Sequence, residues 1–227
     1  MAKLVSLVGA ALLLAACGKP APPQSGQAYF QALNCRACHQ IGNDGNARGG
    51  PDLTMVGFRK SAAWLDRWLS DPQSWRPGTP MPDPHLSPKA RAMLVEYLSS
   101  LKGQDWDGRR PWNDPSLKDP VERGHVLFAR AGCITCHGVG GQGGYPNNNV
   151  VGGQIPNLRG ISQRYTKDEL KRKIARGVIP QKADPNGPDP LIRMPAWGET
   201  LSDDEISAVV EYLWTLPAAG ASAGQEW

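Results

Sequence analysis

Apolar residues recur at helical spacing in two stretches of the chain whose wording nearly matches. LSPKARAMLVEYLSSL, from Leu86, pairs with LSDDEISAVVEYLWTL, from Leu201. In the second, Ile206, Val209, Val210, Leu213 and Leu216 form the one-faced stripe of an amphipathic helix; in the first the counterpart is Met93, Leu94, Tyr97, Leu98 and Leu101. The start signals agree. Ser202-Asp203-Asp204-Glu205 is a capping box, and Ser87-Pro88 sets Pro at the first helical position. Asp119-Pro120-Val121-Glu122 combines an N-cap, a Pro and a third-position Glu, predicting a further helix that opens with a capping box. Middle helices are predicted at 61–70 and 166–176. No segment shows the alternation of a strand, so the predicted class is all-α.

The chain also repeats. Gly26, Phe30, Cys35, Cys38 and His39 recur 98 positions later as Gly124, Phe128, Cys133, Cys136 and His137, whereas the terminal stripes are offset by 115. The 17 extra residues of the second unit fall in 138–154 and 178–193, both rich in turn formers and therefore expected as surface loops. Two copies at this spacing mean tandem domains, at 26–103 and 118–217, and not a solenoid. Between them, 104–117 is a polar linker whose two tryptophans, Trp106 and Trp112, can dock it against either domain; 218–227 reads as a flexible tail.

Residues 1–16 pair one basic residue, Lys3, with an apolar run from Leu4 to Ala16. At about 13 residues the run falls short of the roughly 20 that cross a bilayer, and it fits the core of a secretory signal. Its end, Leu14-Ala15-Ala16-Cys17, resembles the bacterial lipoprotein signal. That resemblance implies cleavage before Cys17, acylation of its thiol and a body held on the periplasmic side of a membrane; the alternative is an ordinary signal with Cys17 as a spare thiol. Gly18 lacks the retention signal of the inner membrane, which favours the outer one. The Pro-rich segment 17–25 is then a stiff tether with a reach of about 25 Å.

Composition narrows the rest. The chain has 227 residues, 40% of them hydrophobic, with 26 Gly and 21 Pro. A polytopic membrane protein is excluded, and a formal charge of +4 is too small to point to nucleic acid. Each domain has few apolar residues for its length, and small domains bury a low fraction of their surface, so something other than side chains is needed to complete the core.

Apart from Cys17, every cysteine lies in Cys35-Arg36-Ala37-Cys38-His39 or Cys133-Ile134-Thr135-Cys136-His137. C-x-x-C-H is the attachment pattern of c-type haem. Two thiols one helical turn apart can reach both vinyl groups, and the next residue brings an imidazole to the iron. A structural zinc, a redox dithiol and disulfides are the alternatives; zinc would need ligands drawn from segments 98 residues apart.

Both units resemble class I cytochromes c over almost their whole length. Gly50-Pro51-Asp52-Leu53 and Ile155-Pro156-Asn157-Leu158 match the family's proline loop, which implies that the Pro51 and Pro156 carbonyls hold His39 and His137. Pro77-Gly78-Thr79-Pro80-Met81 and Arg193-Met194-Pro195-Ala196-Trp197-Gly198 match its distal loop, which implies Met81 and Met194 as sixth iron ligands. The residues speak for those methionines independently: each precedes a Pro, lies off the apolar stripes and stands ahead of a terminal helix. The alternative is a packing methionine, the role expected of Met93; Met55 has no clear claim. His85, close behind Met81, is a rival ligand, whereas His125 is expected on the surface. Trp197 is either a haem neighbour or core. Lys167, Lys171, Arg172, Lys173 and Arg176 form either a docking patch or a solvated helix face.

Two irons, each closed by His and Met, leave no open site for substrate. The expectation is therefore a membrane-tethered two-haem cytochrome that carries single electrons between a redox-protein donor and acceptor, alone or as a subunit of a respiratory complex, with no catalytic residues. The rival is a two-haem peroxidase-like oxidoreductase, which needs one iron with a releasable sixth ligand. A Cys-ligated thiosulfate-oxidising enzyme is disfavoured because no cysteine is left over.

Overall fold

A computed structural model describes residues 23–46, 49–106 and 108–218. The signal at 1–16, Cys17 and most of the tether lie outside the described residues, as does the tail beyond Ala218. Among the described residues there are nine α-helices: α1 (Gly26–Ala32), α2 (Val56–Arg59), α3 (Ala62–Ser70), α4 (Pro72–Trp75), α5 (Pro88–Ser100), α6 (Pro120–Arg130), α7 (Ile134–His137), α8 (Lys167–Arg176) and α9 (Asp203–Trp214). The fold is all-α in two tandem copies.

Helix starts follow the capping chemistry. Ser61, Ser87 and Ser202 accept from the amides of Trp64, Ala90 and Glu205, and Glu205 closes the box by accepting from the Ser202 amide at 2.8 Å. Thr166 and Glu169 form a second complete box at the start of α8. At α6 the expected box is replaced by a simple N-cap. Asp119 accepts from Val121, one position short of the amide that box geometry uses, and Glu122 does not reciprocate. One small ladder also departs from the expectation of no strand: β1 (Gln40–Ile41) pairs antiparallel with β2 (Asp44–Gly45). A two-residue Gly42-Asn43 loop, with Gly42 at φ +59°, closes this hairpin directly after His39.

In each unit the first helix crosses the last, α1 on α5 and α6 on α9. The repeated glycines mark those crossings. A Cβ on Gly26 would run into the Met93 carbonyl of α5, and one on Gly124 into the Ala208 carbonyl of α9. The α9 stripe is buried throughout, whereas on α5 Leu94, Leu98 and Leu101 are buried and Met93 is half-buried, outside the core to which its spacing assigned it. At the crossing it is the Met93 backbone that Gly26 of α1 approaches.

Among the described residues of the linker, the two tryptophans are packed, not solvated. Trp106 and Trp112 are buried edge-to-face at 4.9 Å and join the core of the second unit together with Met55 from the first. Buried Glu205 anchors the linker at Trp112, accepting from Trp112 Nε1 at 2.6 Å, Arg110 at 3.0 Å and Asn113 at 3.2 Å. The two insertions of the second unit are knitted to each other by Asn147, Asn148 and Asn149. Their side-chain amides bond the backbone at Ile192, at Asp189 and Leu191, and at Asp184 and Pro188.

Candidate haem-attachment sites

Both C-x-x-C-H segments fold as the same turn. In the first, Asn34 in the left-handed region (φ 56°) opens a 3-10 turn; the Cys38 amide donates to the Cys35 carbonyl at 3.2 Å and the His39 amide at 3.0 Å. In the second, Cys136 and His137 donate to the Cys133 carbonyl at the same two distances. Two sulfurs and one imidazole thus share a single turn in each unit.

His39 Nδ1 donates to the Pro51 carbonyl at 2.9 Å. A carbonyl can only accept, so this bond places the proton on Nδ1 and leaves Nε2 as the ligating nitrogen. Gly50 lies flat against the ring, where a Cβ would sit 2.5 Å from Cε1. His137 is placed less tightly. Its Nδ1 is buried without a hydrogen bond, although the Pro156 carbonyl is near enough to favour the protonated ring. Burial outweighs that carbonyl and pushes His137 down to about 4, and it lowers His39 as well. Both rings are neutral at neutral pH, the form that binds iron.

Met81 lies half-buried ahead of α5, and its Sδ accepts from Trp68 Nε1 at 2.9 Å. Trp68 stacks on Trp64 at 5.3 Å and 11°. Met194 is half-buried against the second core, held in a single bridge to Val178. His85 turns away: its side chain is 85% exposed and pairs with Asp83. His125 is on the surface, against Tyr212. Trp197 is buried and meets Phe58 of the first unit edge-on at 5.2 Å. Of the basic cluster, Lys167 and Lys171 are paired with Glu211 and Asp203 of α9, which reduces its use as a docking patch. Met55 is core, at 1% exposure.

Trp68, Arg59 and Lys60 went unread in the sequence. The last two bring the first unit against the second-unit turn: Lys60 Nζ donates to Cys136 Sγ at 3.2 Å, and Arg59 to Thr135 Oγ1 at 2.8 Å. Burial pushes Cys133 up to about 12. At Cys136 burial also raises, but the charge and hydrogen bond of Lys60, with Arg59 and Thr135, outweigh it and lower the thiol.

These residues fit a covalently attached haem. The four described cysteines are free thiols placed for two thioethers per unit, and His39 offers Nε2. Trp64 Nε1 is a buried donor with no acceptor, and haem carboxylates are acceptors. Among the described residues no three His, Cys, Asp or Glu side chains converge as a metal cage.

A model of the cytochrome c family matches residues 23–102 and again 121–217. The chain belongs to the cytochrome c family. This tandem cytochrome is 36% identical over 86 residues to cytochrome c oxidase subunit 2 of Alkalihalophilus pseudofirmus (34% of this chain, 25% of that one). To cytochrome c oxidase subunit 2 of Bacillus subtilis it is 34% identical over 95 residues (36% and 27%). The chain therefore spans about a quarter of the length of these two relatives. Cytochrome c6 of Euglena gracilis is 34% identical over 95 residues, which are 40% of this chain and 86% of that one. A chain of the Kuenenia stuttgartiensis reducing HAO-like protein complex aligns over 86% of this cytochrome and 96% of itself, at 18% identity and a TM-score of 0.30. Electron transfer through covalently held haem iron is the chemistry that family membership brings to the chain.

Proposed function

We propose that the protein is a two-haem cytochrome, lipid-anchored through Cys17 on the periplasmic side of a membrane, passing single electrons between redox-protein partners. The observation that carries this reading is the duplicated scaffold: each unit sets a Cys-x-x-Cys-His turn and a methionine ahead of its terminal helix. Cys35, Cys38, His39 and Met81 would hold the first haem, and Cys133, Cys136, His137 and Met194 the second. Each haem, when bound, would supply an Fe(III)/Fe(II) couple.

The chain's own residues do the rest. The Pro51 carbonyl fixes the tautomer and direction of the His39 ring, which keeps Nε2 basic in both oxidation states. As iron ligands, the soft thioethers of Met81 and Met194 would favour the ferrous state and raise the potential. Trp68 draws density from the Met81 sulfur through its N–H, in the same direction. Cys35 and Cys133 pack against the apolar cores to which the stripes of α5 and α9 contribute.

The printed relatives include a subunit of an oxidase and a c6 cytochrome, and both a complex subunit and a free carrier use these sites. A peroxidase-like reaction needs a sixth position that opens; Met81 and Met194, each ahead of a terminal helix, would fill that position. The test is a redox titration of the isolated holoprotein followed by visible and near-infrared spectra. Two low-spin one-electron couples with a sulfur-to-iron band are expected; a high-spin ferrous iron that takes up carbon monoxide would contradict the reading.

A further inference from the structure

Repetition accounts for each unit but not for the junction between them. Arg59 ends α2 at 7% exposure. Its Nη2 donates to the Asp52 carbonyl at 2.8 Å, while Nη1 crosses to Thr135 Oγ1 at 2.8 Å and to the Gly132 carbonyl at 3.2 Å. Asp52 follows Pro51, which holds His39, and Thr135 precedes Cys136. One guanidinium therefore joins the histidine anchor of the first unit to the attachment turn of the second.

Lys60, also 7% exposed, adds a second link. Its ammonium donates to Cys136 Sγ and lies 4.3 Å from the centre of the Trp64 ring, which stacks on Trp68, the donor to Met81. Cys136 Sγ stands here for the thioether sulfur of the loaded protein, which still accepts.

The charges do not cancel. Among the described residues, the carboxylate of Asp52 at this junction is 2% exposed and already bound to Arg130 at 2.7 Å. Every acceptor of Arg59 is neutral. Burial lowers its pKa, yet a guanidinium stays protonated at any working pH. The repeat provides an internal control: Arg164, the counterpart of Arg59, makes the matching bond to the Asn157 carbonyl at 2.7 Å but is exposed and touches only its own unit. A buried cation favours Fe(II) over Fe(III) nearby, and the low dielectric of the junction strengthens the effect.

We propose that Arg59, with Lys60 beside it, is the positioning element between the two units: the first unit lends its cations to the attachment turn of the second, raising the potential of the second haem and holding it in register to receive electrons from the first. The inference rests on the two-haem reading above. The step moves one electron and no atoms; the first iron goes from Fe(II) to Fe(III) as the second goes from Fe(III) to Fe(II).

The test uses the full-length holoprotein carrying Arg59→Gln, Arg59→Lys or Lys60→Gln, with haem content, thermal midpoint and both reduction potentials measured. Couples are assigned to units by which one Met81→Ala or Met194→Ala displaces. Arg59→Gln is expected to lower the second-unit couple by roughly tenfold in equilibrium constant, about 59 mV for one electron, and by more than the first. Arg59→Lys keeps the charge and is expected to restore most of that potential even where the thermal midpoint stays low, because a lysine lacks the fork. Should Arg59→Gln fail to load both haems, Lys60→Gln is expected to shift the same couple in the same direction. An unchanged second-unit couple, or Arg59→Lys as low as Arg59→Gln, overturns the inference while the two-haem reading stands. Fewer than two haems in the unaltered protein would instead overturn that reading.

Discussion

At the scale of single residues, the site is a division of labour between groups that bind and groups that aim. Cys35, Cys38 and His39 share one turn because their spacing demands it, and so do Cys133, Cys136 and His137; that much is legible from sequence, since it needs only contacts a few residues apart. The bond from His39 to Pro51 spans twelve residues and reached the sequence analysis through family resemblance. Arg59, Lys60 and Trp68 left no such trace. Their contacts with Thr135, Cys136 and Met81 are set by how elements pack, and a lone Arg-Lys pair after a short helix reads as an ordinary solvated surface. The two methionines carry the residue-scale prediction. Met81→Ala and Met194→Ala are each expected to remove about half of the near-infrared sulfur-to-iron band of the oxidised protein, because thioether ligation to haem iron supplies that transition. A variant that leaves the band intact would return its methionine to a packing role.

At the scale of elements, two devices hold the parts together. The helix crossings depend on Gly26 and Gly124, where an added Cβ would run into the carbonyls of Met93 and Ala208. Gly124→Ala gives the helix a better former but drives a methyl into the backbone of α9, and overpacking of this kind costs about 1–3 kcal/mol; the denaturant midpoint of the holoprotein is expected to fall. The second device is Glu205, which caps α9 and clasps the linker. Burial alone would raise its carboxyl, but bonds from the Ser202 amide, Trp112, Arg110 and Asn113 hold it below its ordinary 4.5. A depressed pKa stabilises the fold above pH 4.5, and that contribution is lost as pH falls through the folded-state value. Glu205→Gln is therefore expected to lose about 2 kcal/mol at pH 7, the scale of hydrogen bonds to a charged group. It should also show a weaker decline in stability than the unaltered protein as pH falls below 4.5. Sequence pattern reached the capping role of Glu205, because Ser202 is three residues away, and missed the clasp, whose partners lie more than ninety residues upstream.

At the scale of the whole molecule, duplication explains the two sites and asymmetry explains what joins them. The first unit contributes Met55, Phe58, Arg59 and Lys60 to its neighbour, and the linker tryptophans complete the neighbour's core, so the tandem is one packed body along this junction. The insertions at 138–154 and 178–193 were foreseen as loops, but the three asparagines that bind them into one another were not, since polar runs of that kind usually mark solvated turns. Behind all of this stands the claim that each unit carries its own covalently held haem. The intact mass of the exported protein tests that claim most directly. Two haem additions on the polypeptide, lost one at a time in Cys35→Ala/Cys38→Ala and in Cys133→Ala/Cys136→Ala, are the result expected; a single addition, or one that survives both pairs of substitutions, would contradict it.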